Sequence, residues 1–453
     1  MMGSSPRWSA VSTETASGIA VSGVIGALTV VSVTLAATSG AFVGGILVGL
    51  FLLVGAVLSQ GTERVGTGLA VVAMVLSPMN AVRPVPGLTF VTASDAMFAL
   101  AFTILLPTLL RRRVQLPSTL VAGIVILVGS ALVASVISDL PFVSLALTVR
   151  LVVGAFGLPI LFLIWSPRES VVRWLAAGYL LGASLSTVIG VLRGPDGDGG
   201  RYAGLTTHAN ILGLTMLLAV AIVPFLCHRA TVGVQVLAIT GGVIASYGLY
   251  ISGSRAALAV LIAIALIYPQ LTRSLVPIAF MVTGFAIFLA FSNRLLAADS
   301  GNAIGRLLGG GSASGSDIER ENAAREALEQ FHENPIIGGG LSGVLEAHNI
   351  YLQAVAAVGV IGLVGYVLVF ITIVRPLLTL PSPYHLLALP ALAYATLGFV
   401  TSLMWDRYIW SMMSLALLAP VLAKRYAEAH PEELEDDDQA DAADSSAVAQ
   451  VRA

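Results

Sequence analysis

Apolar runs of about 17–25 residues recur along the chain, separated by short polar turns. Each is long enough to cross a ~30 Å hydrocarbon core as a helix. The runs predict about fourteen spans: 18–38, 41–59, 66–82, 91–110, 118–137, 146–165, 171–192, 209–227, 232–250, 255–269, 274–292, 348–374, 384–403 and 408–424. Those at 66–82 and 255–269 are the shortest. The expected fold is an all-α polytopic membrane bundle of about 12–14 helices. The first run follows one cation, Arg7, outruns a signal-peptide core and is followed directly by a second run. It reads as a first helix rather than a cleaved signal.

One connection, 293–347, is too long to be only a link. Within it Ser316-Asp317-Ile318-Glu319 has the form of a capping box, with Ser316 as N-cap. A helix is expected from there to about His332, with Ile318, Ala324, Leu328 and Phe331 on one side and Asn334-Pro335 as its stop. It would lie over the mouth of the bundle, as a lid that packs or as part of a site. No fixed-period repeat is visible, and Gly309-Gly310-Gly311-Ser312 is the one linker-like stretch.

Composition strengthens the membrane reading. Apolar residues make up 57 % of the 453 and charged residues 11 %, where soluble domains carry roughly 25 % charged. Mean hydropathy is +0.92. The partner this implies is the lipid bilayer, with no nucleic acid. The net charge of −2 hides an uneven spread, because acid collects in the tail Glu432–Asp444. Residues 425–453 read as an acidic, disordered cytoplasmic tail. The single cysteine, Cys227, excludes an intrachain disulfide and a cysteine metal site.

Orientation follows from the basic residues in short loops. One alternating set of loops carries Arg7, Arg64, Arg111-Arg112-Arg113, Arg168, Arg173, Arg229, Arg273, Arg375, Lys424 and Arg425. The other carries Arg83, Arg150, Arg193, Arg201, Arg255 and Arg407. The first set is expected in the cytoplasm together with both termini. The second faces the outer, periplasmic side of the cytoplasmic (inner) membrane.

Three short motifs then fall on the outer face: Arg201-Tyr202-Ala203-Gly204 with His208-Ala209-Asn210, Ser252-Gly253-Ser254-Arg255, and His348-Asn349-Ile350-Tyr351. A lone arginine at a helix end is usually an anchor. Two arginines in Gly- and Ser-rich turns with no carboxylate close in sequence suit a diphosphate, because guanidinium pairs bidentately with phosphate oxygens. His348, opening an apolar helix, is either a cap or a base that takes a proton from a hydroxyl. His208 reads as a cap. His228, His385 and His430 fall on the other face. Asp196-Gly197-Asp198 reads as a turn among glycines rather than a metal site, and no Walker A, G-x-S-x-G or H-E-x-x-H motif occurs.

The order of these motifs, with Asn334-Pro335-Ile336-Ile337-Gly338-Gly339-Gly340 before His348 and Gly359-Val360-Ile361-Gly362 after it, resembles the O-antigen ligase/polymerase superfamily. That superfamily comprises O-antigen ligases, O-antigen and exopolysaccharide polymerases, and protein O-oligosaccharyltransferases. The resemblance covers about residues 190–375. It implies a GT-C-like bundle with a large external loop between late helices, and a metal-free, inverting glycosyl transfer. The donor would be a polyprenyl-diphosphate-linked glycan, and the acceptor a hydroxyl on a glycan, lipid or protein. Carried over, Arg201 and Arg255 would hold the diphosphate and His348 would be the base. Arg83, Arg150, His208, Asn210, Ser254, Asn349 and Asp406 would support them, with no cofactor and no metal. The chain would then divide into N-terminal helices (1–192), a ligase/polymerase-like core (193–424) and the tail. The rival class is a transporter or flippase for a lipid-linked or anionic glycan. It would show charges near mid-membrane or broken helices in paired positions.

Overall fold

The computed structural model describes residues 41–84, 91–112, 114–196, 200–272, 301–307, 313–343, 347–401, 404 and 406–431. The expected spans 18–38 and 274–292, the stretch Gly309–Ser312 and the acidic tail beyond residue 431 lie outside the described residues. Every regular element among the described residues is helical. Six helices are long and apolar enough to cross a membrane, and four shorter apolar helices accompany them. The fold is thus an all-α, multi-pass membrane fold, as the apolar runs predict.

The chain divides into two compact units, residues 1–70 with 98–111, and residues 71–97 with 112–453. The first holds α1 (Ala41–Gln60), the first half of α2 (Thr62–Leu76) and most of α3 (Ala93–Leu109). There Gly66 lets α2 and α3 close up, since a Cβ on it would lie 2.5 Å from Leu105 Cγ. Helix α2 stops at Leu76, six residues short of the expected span 66–82. Pro78 disfavours the helical conformation at Ser77, and the chain turns instead.

The second unit holds α4 (Ser118–Ile137), α5 (Pro141–Trp165), α6 (Glu169–Arg193), α7 (Ala209–Cys227), α8 (Val232–Ile251) and α9 (Arg255–Thr272). There follow a short α10 (Ala303–Leu307), α11 (Ala313–Glu333), α12 (Ile350–Val374), α13 (Leu389–Leu397) and α14 (Arg407–Ala429). Helix α5 begins five residues before the expected 146 because Pro141 suits the first helical position. It contains a π-helical stretch, Val152–Gly157. The expected span 384–403 is broken: only Leu389–Leu397 is α-helical, flanked by 3-10 turns at Tyr384–Ala388 and Gly398–Val400.

Without a hydrophobic force between helices in lipid, close packing needs small residues. Helices α4 and α12 use them. A Cβ on Gly123 would come within 2.8 Å of the Gly365 carbonyl oxygen, and one on Gly365 within 2.5 Å of Leu127 N. Ser135, Ser144 and Thr148 share hydroxyl hydrogen bonds of 2.8 and 3.1 Å between α4 and α5. At the far end of α5, the Ser166 carbonyl accepts from Arg112 at 2.8 Å and from Arg425 at 2.9 Å. Arginines there close the helix's open carbonyls.

The Gly-rich run after α11 has a structural duty. Helix α12 is broken at Gly359, whose φ is 67° and ψ −177°. The break is covered by the run: Gly339 and Gly340 N–H donate to the Ala356 and Ala357 carbonyls at 2.9 Å each, and Val360 N–H donates to Pro335 at 3.0 Å. Irregular backbone at membrane depth survives where protein satisfies it. A Cβ on Gly359 would sit 2.0 Å from the Ile336 carbonyl oxygen. Gly359→Ala therefore adds a left-handed strain of about 1–3 kcal/mol to that collision. We expect it to lower the thermal unfolding midpoint of the purified protein, and an unchanged midpoint would contradict this packing.

Candidate functional site

The loop carrying Arg201 is pinned on three sides. Tyr202 N–H donates to Ile251 at the end of α8 (3.2 Å), Asp196 accepts from Ala203 N–H (3.1 Å), and Leu205 N–H reaches Ser186 Oγ on α6 (3.0 Å). Gly204, at φ 62°, sits so close to Gly190 that a Cβ on Gly190 would lie 2.9 Å from its Cα. Asp196 thus holds this loop through Ala203. Its neighbour Asp198 lies outside the described residues, and among the described residues no cluster of three or more metal-ligating side chains occurs.

From that loop Arg201 reaches the Ser252–Arg255 turn. Its Nε donates to the Ser252 carbonyl at 2.9 Å, and Nη2 donates to Asn210 Oδ1. Gly253 is required by the fit: its φ is 67°, and a Cβ would meet Arg201 Nε at 2.9 Å and the Gly301 carbonyl oxygen at 2.3 Å. Ser254 is buried and precedes α9, where its Oγ accepts from Ala257 N–H at 3.4 Å as an N-cap. Arg255 is the first residue of α9.

Two arginines that the motifs do not include join this pair. Arg306, on α10, is buried and donates to the Gly253 carbonyl at 3.1 Å. Arg320, on α11, is also within electrostatic reach of Arg201. Burial, then Arg306, Arg320 and Arg255, push the Arg201 guanidinium down to about 10. Arg306, Arg320 and Arg255 thus set like charge around Arg201. Like charges brought together at a half-buried site are costly unless an anion joins them.

Helix α11 begins at Ala313, so Ser316 lies inside it and is not its N-cap. Its inward face also differs from the expected one. Ala327 is buried with Ala347 and Ala356, and Phe331 and Leu352 pack on them, while Ile318 and Leu328 are exposed. The face Arg320, Ala324, Ala327, Phe331 has the i, i+4, i+7, i+11 spacing of one helical stripe. Arg320 belongs to that stripe, a signal that was present in the sequence.

The two histidines lie beside the arginines. His208 is the N-cap of α7 and accepts from Asn210 N–H at Nδ1 (3.1 Å), as a cap should. Burial, then Arg201, Arg306 and His348, hold it below the usual histidine range. His348 precedes α12 and has a left-handed φ of 49°. Non-glycine residues held there cluster at functional sites. Asn349 caps α12, its Oδ1 accepting from Tyr351 N–H and Leu352 N–H at 3.0 Å each. The cap thus falls to Asn349.

The remaining expected residues divide. Arg83 follows Asn80 and Ala81, which bond Thr207 and Leu205 of the arginine loop. Arg150 and Asp406 pair with each other at 3.7 Å. Burial raises Asp406 to about 6 against the pull of Arg150 and Arg407. A cavity of about 1020 Å³ lies at the opposite end of the bundle, beside Cys227, His228, Tyr268 and His385. It is remote from the arginines, since α7 runs 19 residues from His208 to Cys227.

No curated protein matches the chain. Residues 240–367 match the family model described as O-antigen ligase. That stretch contains Ser252–Arg255, Arg306, Arg320, the Gly-rich run and His348, and leaves out Arg201, His208, Arg150 and Asp406. The motif order and the match agree: over residues 240–367 this multi-pass membrane chain is similar to the O-antigen ligase family, which supports its resemblance to the O-antigen ligase/polymerase superfamily.

Proposed function

We propose that the protein transfers a glycan from a polyprenyl diphosphate to a hydroxyl acceptor at the outer face of the cytoplasmic membrane. The observation that carries this reading is the convergence of Arg201, Arg255, Arg306 and Arg320 beside His208 and His348. A diphosphate matches several guanidiniums in charge and in oxygen count. The acceptor oxygen attacks the anomeric carbon, its proton passes to His348, and the carbon–oxygen bond to the diphosphate breaks. Charge grows on the leaving diphosphate, so fixed cations stabilise the transition state more than the ground state. Attack opposite the leaving group inverts the anomeric centre.

Placement at the outer face is supported by the other end of the bundle. There the second unit gathers Arg112, Arg168, Arg173, Arg229, Arg375, Lys424 and Arg425, the pattern of a cytoplasmic surface. The broken helix α12 is a feature that transporters share. Here, however, the carbonyls of Ala356 and Ala357 beside the break are taken up by Gly339 and Gly340, which favours a structural break over an ion site.

Binding separates the readings. In nanodiscs, an undecaprenyl diphosphate should bind at least tenfold more tightly than the monophosphate, and Arg255→Gln should erase the difference. Equal affinity for the two lipids would overturn the proposal. Because guanidiniums supply the charge, transfer should persist in excess chelator. Loss restored by a divalent cation would refute the metal-independent mechanism.

A further inference from the structure

We propose that the cavity at the end of the bundle opposite the arginines binds the headgroup of an anionic phospholipid, with His385 and His228 donating to its phosphate. This site is separate from the donor site and does not depend on the transfer reading.

The sequence loosens this end of the bundle. Helix α7 carries Pro224 and helix α9 carries Pro269, each in its last turn. A proline there removes an amide from the helical ladder and crowds the turn before it. The connection from α12 to α13 carries Pro376, Pro381 and Pro383. It forms only a short turn, Pro376–Thr379, and the 3-10 turn Tyr384–Ala388. Residues from all three segments line the cavity of about 1020 Å³, which is at the upper end of the ~300–1,000 Å³ usual for small-molecule sites.

Its polar wall holds a buried group that the fold does not satisfy. His385 is 7 % exposed, and neither ring nitrogen has a hydrogen-bond partner among the described residues. The Pro381 carbonyl bears on the ring without completing that bond. A buried polar group without a partner is costly, so its place on a cavity wall points to a group that enters the cavity. His228 lines the same cavity just beyond α7, with Nδ1 3.5 Å from Ser382 Oγ, at the limit of a hydrogen bond. A neutral imidazole offers one N–H donor, and Gln270 adds an amide.

The charge around these donors favours an anion. Arg229 and Arg173 set two positive charges on His228 against one negative charge from Glu169. Arg173 Nε is 2.9 Å from Glu169 Oε1, and Tyr384 donates to Glu169 Oε2 at 2.8 Å. The carboxylate is thus held by protein groups. Burial, then Arg229 and Arg173, keep His228 below the usual histidine range. A phosphate entering the cavity would relieve that repulsion, whereas the ammonium of a zwitterionic headgroup would add to it.

The rest of the wall selects a lipid over a soluble phosphate. Leu377, Leu378 and Leu386 line the cavity beside the polar groups. Leu378 is 79 % exposed, and in a multi-pass membrane chain an exposed leucine at a helix end meets acyl chains. Polar and apolar walls together suit an amphiphile, and basic pockets between membrane helices take anionic headgroups.

The test titrates the full-length protein, purified in a neutral detergent, with phosphatidylglycerol, phosphatidylcholine and glycerol 3-phosphate, and reads bound ligand by native mass spectrometry. Phosphatidylglycerol should bind at least tenfold more tightly than either of the others. His385→Phe keeps the ring's bulk and removes both nitrogens. It should lower phosphatidylglycerol affinity to the phosphatidylcholine level, while undecaprenyl diphosphate affinity stays within twofold. His385→Gln keeps a donor and should recover part of the loss. His228→Ala, at a helix end outside the buried core, gives a second variant and should weaken phosphatidylglycerol at least threefold. Equal affinity for the two phospholipids overturns the inference, as does a preference that persists in both His385→Phe and His228→Ala. Glycerol 3-phosphate binding as tightly as phosphatidylglycerol overturns it in favour of a soluble phosphoester.

Discussion

His348→Ala should lower transfer by about 10²–10⁴-fold, the contribution expected of a positioned general base, while leaving donor binding intact. The argument begins with the backbone. His348 holds a left-handed φ of 49°, and the capping of α12 is already done by Asn349. The ring is therefore not needed to start the helix. It also lies within electrostatic reach of His208, and an imidazole in its neutral form can accept a proton. Single-turnover transfer from a lipid-linked donor, with binding measured separately, checks this. Retained transfer at equal protein level would remove His348 from the chemistry.

Arg201→Ala should lose about 10²–10³-fold in kcat/KM, the scale of removing one fixed donor to a developing anion. Unlike His348→Ala, it should also weaken donor binding. Arg201 is held by the Ser252 carbonyl and Asn210, so its guanidinium plane is set before any ligand arrives. Arg201→Lys keeps the charge and loses the fork that makes both contacts, and should recover only a small part of the activity. Donor titration alongside the transfer rate distinguishes the two. A lysine variant as active as wild type would show that charge alone is used.

The bundle was legible because lipid leaves a chain few choices: long apolar runs must be helices that satisfy their own backbone. A helix end was legible where Asn334-Pro335 marks it, whereas the start at Pro141 was read five residues late because hydropathy alone set the bound. Hydropathy could not show where hydrogen bonding breaks inside an apolar run. The 384–403 stretch reads as continuous, yet Pro383 and Pro390 leave only Leu389–Leu397 α-helical. At the candidate site, Arg201 and Arg255 stand out because short Gly and Ser motifs surround them. Arg306 is a single cation in a five-residue helix, and nothing local marks it. Arg320 resembles one more charge on a polar helix until its stripe with Ala327 and Phe331 is drawn. Asp95 and Arg407 lie far apart in sequence, and only the fold brings them to 2.8 Å.

The central claim is that clustered cations at one end of the bundle hold a lipid diphosphate while its glycan is passed to a hydroxyl. The most direct measurement is product formation by the purified wild-type protein in nanodiscs, given only a polyprenyl-diphosphate-linked oligosaccharide and an acceptor. The account predicts a longer glycan with an inverted linkage, release of polyprenyl diphosphate in equal amount, and near-complete loss of both in His348→Ala. Translocation of the intact lipid-linked glycan across the bilayer, with no new glycosidic bond, would contradict it.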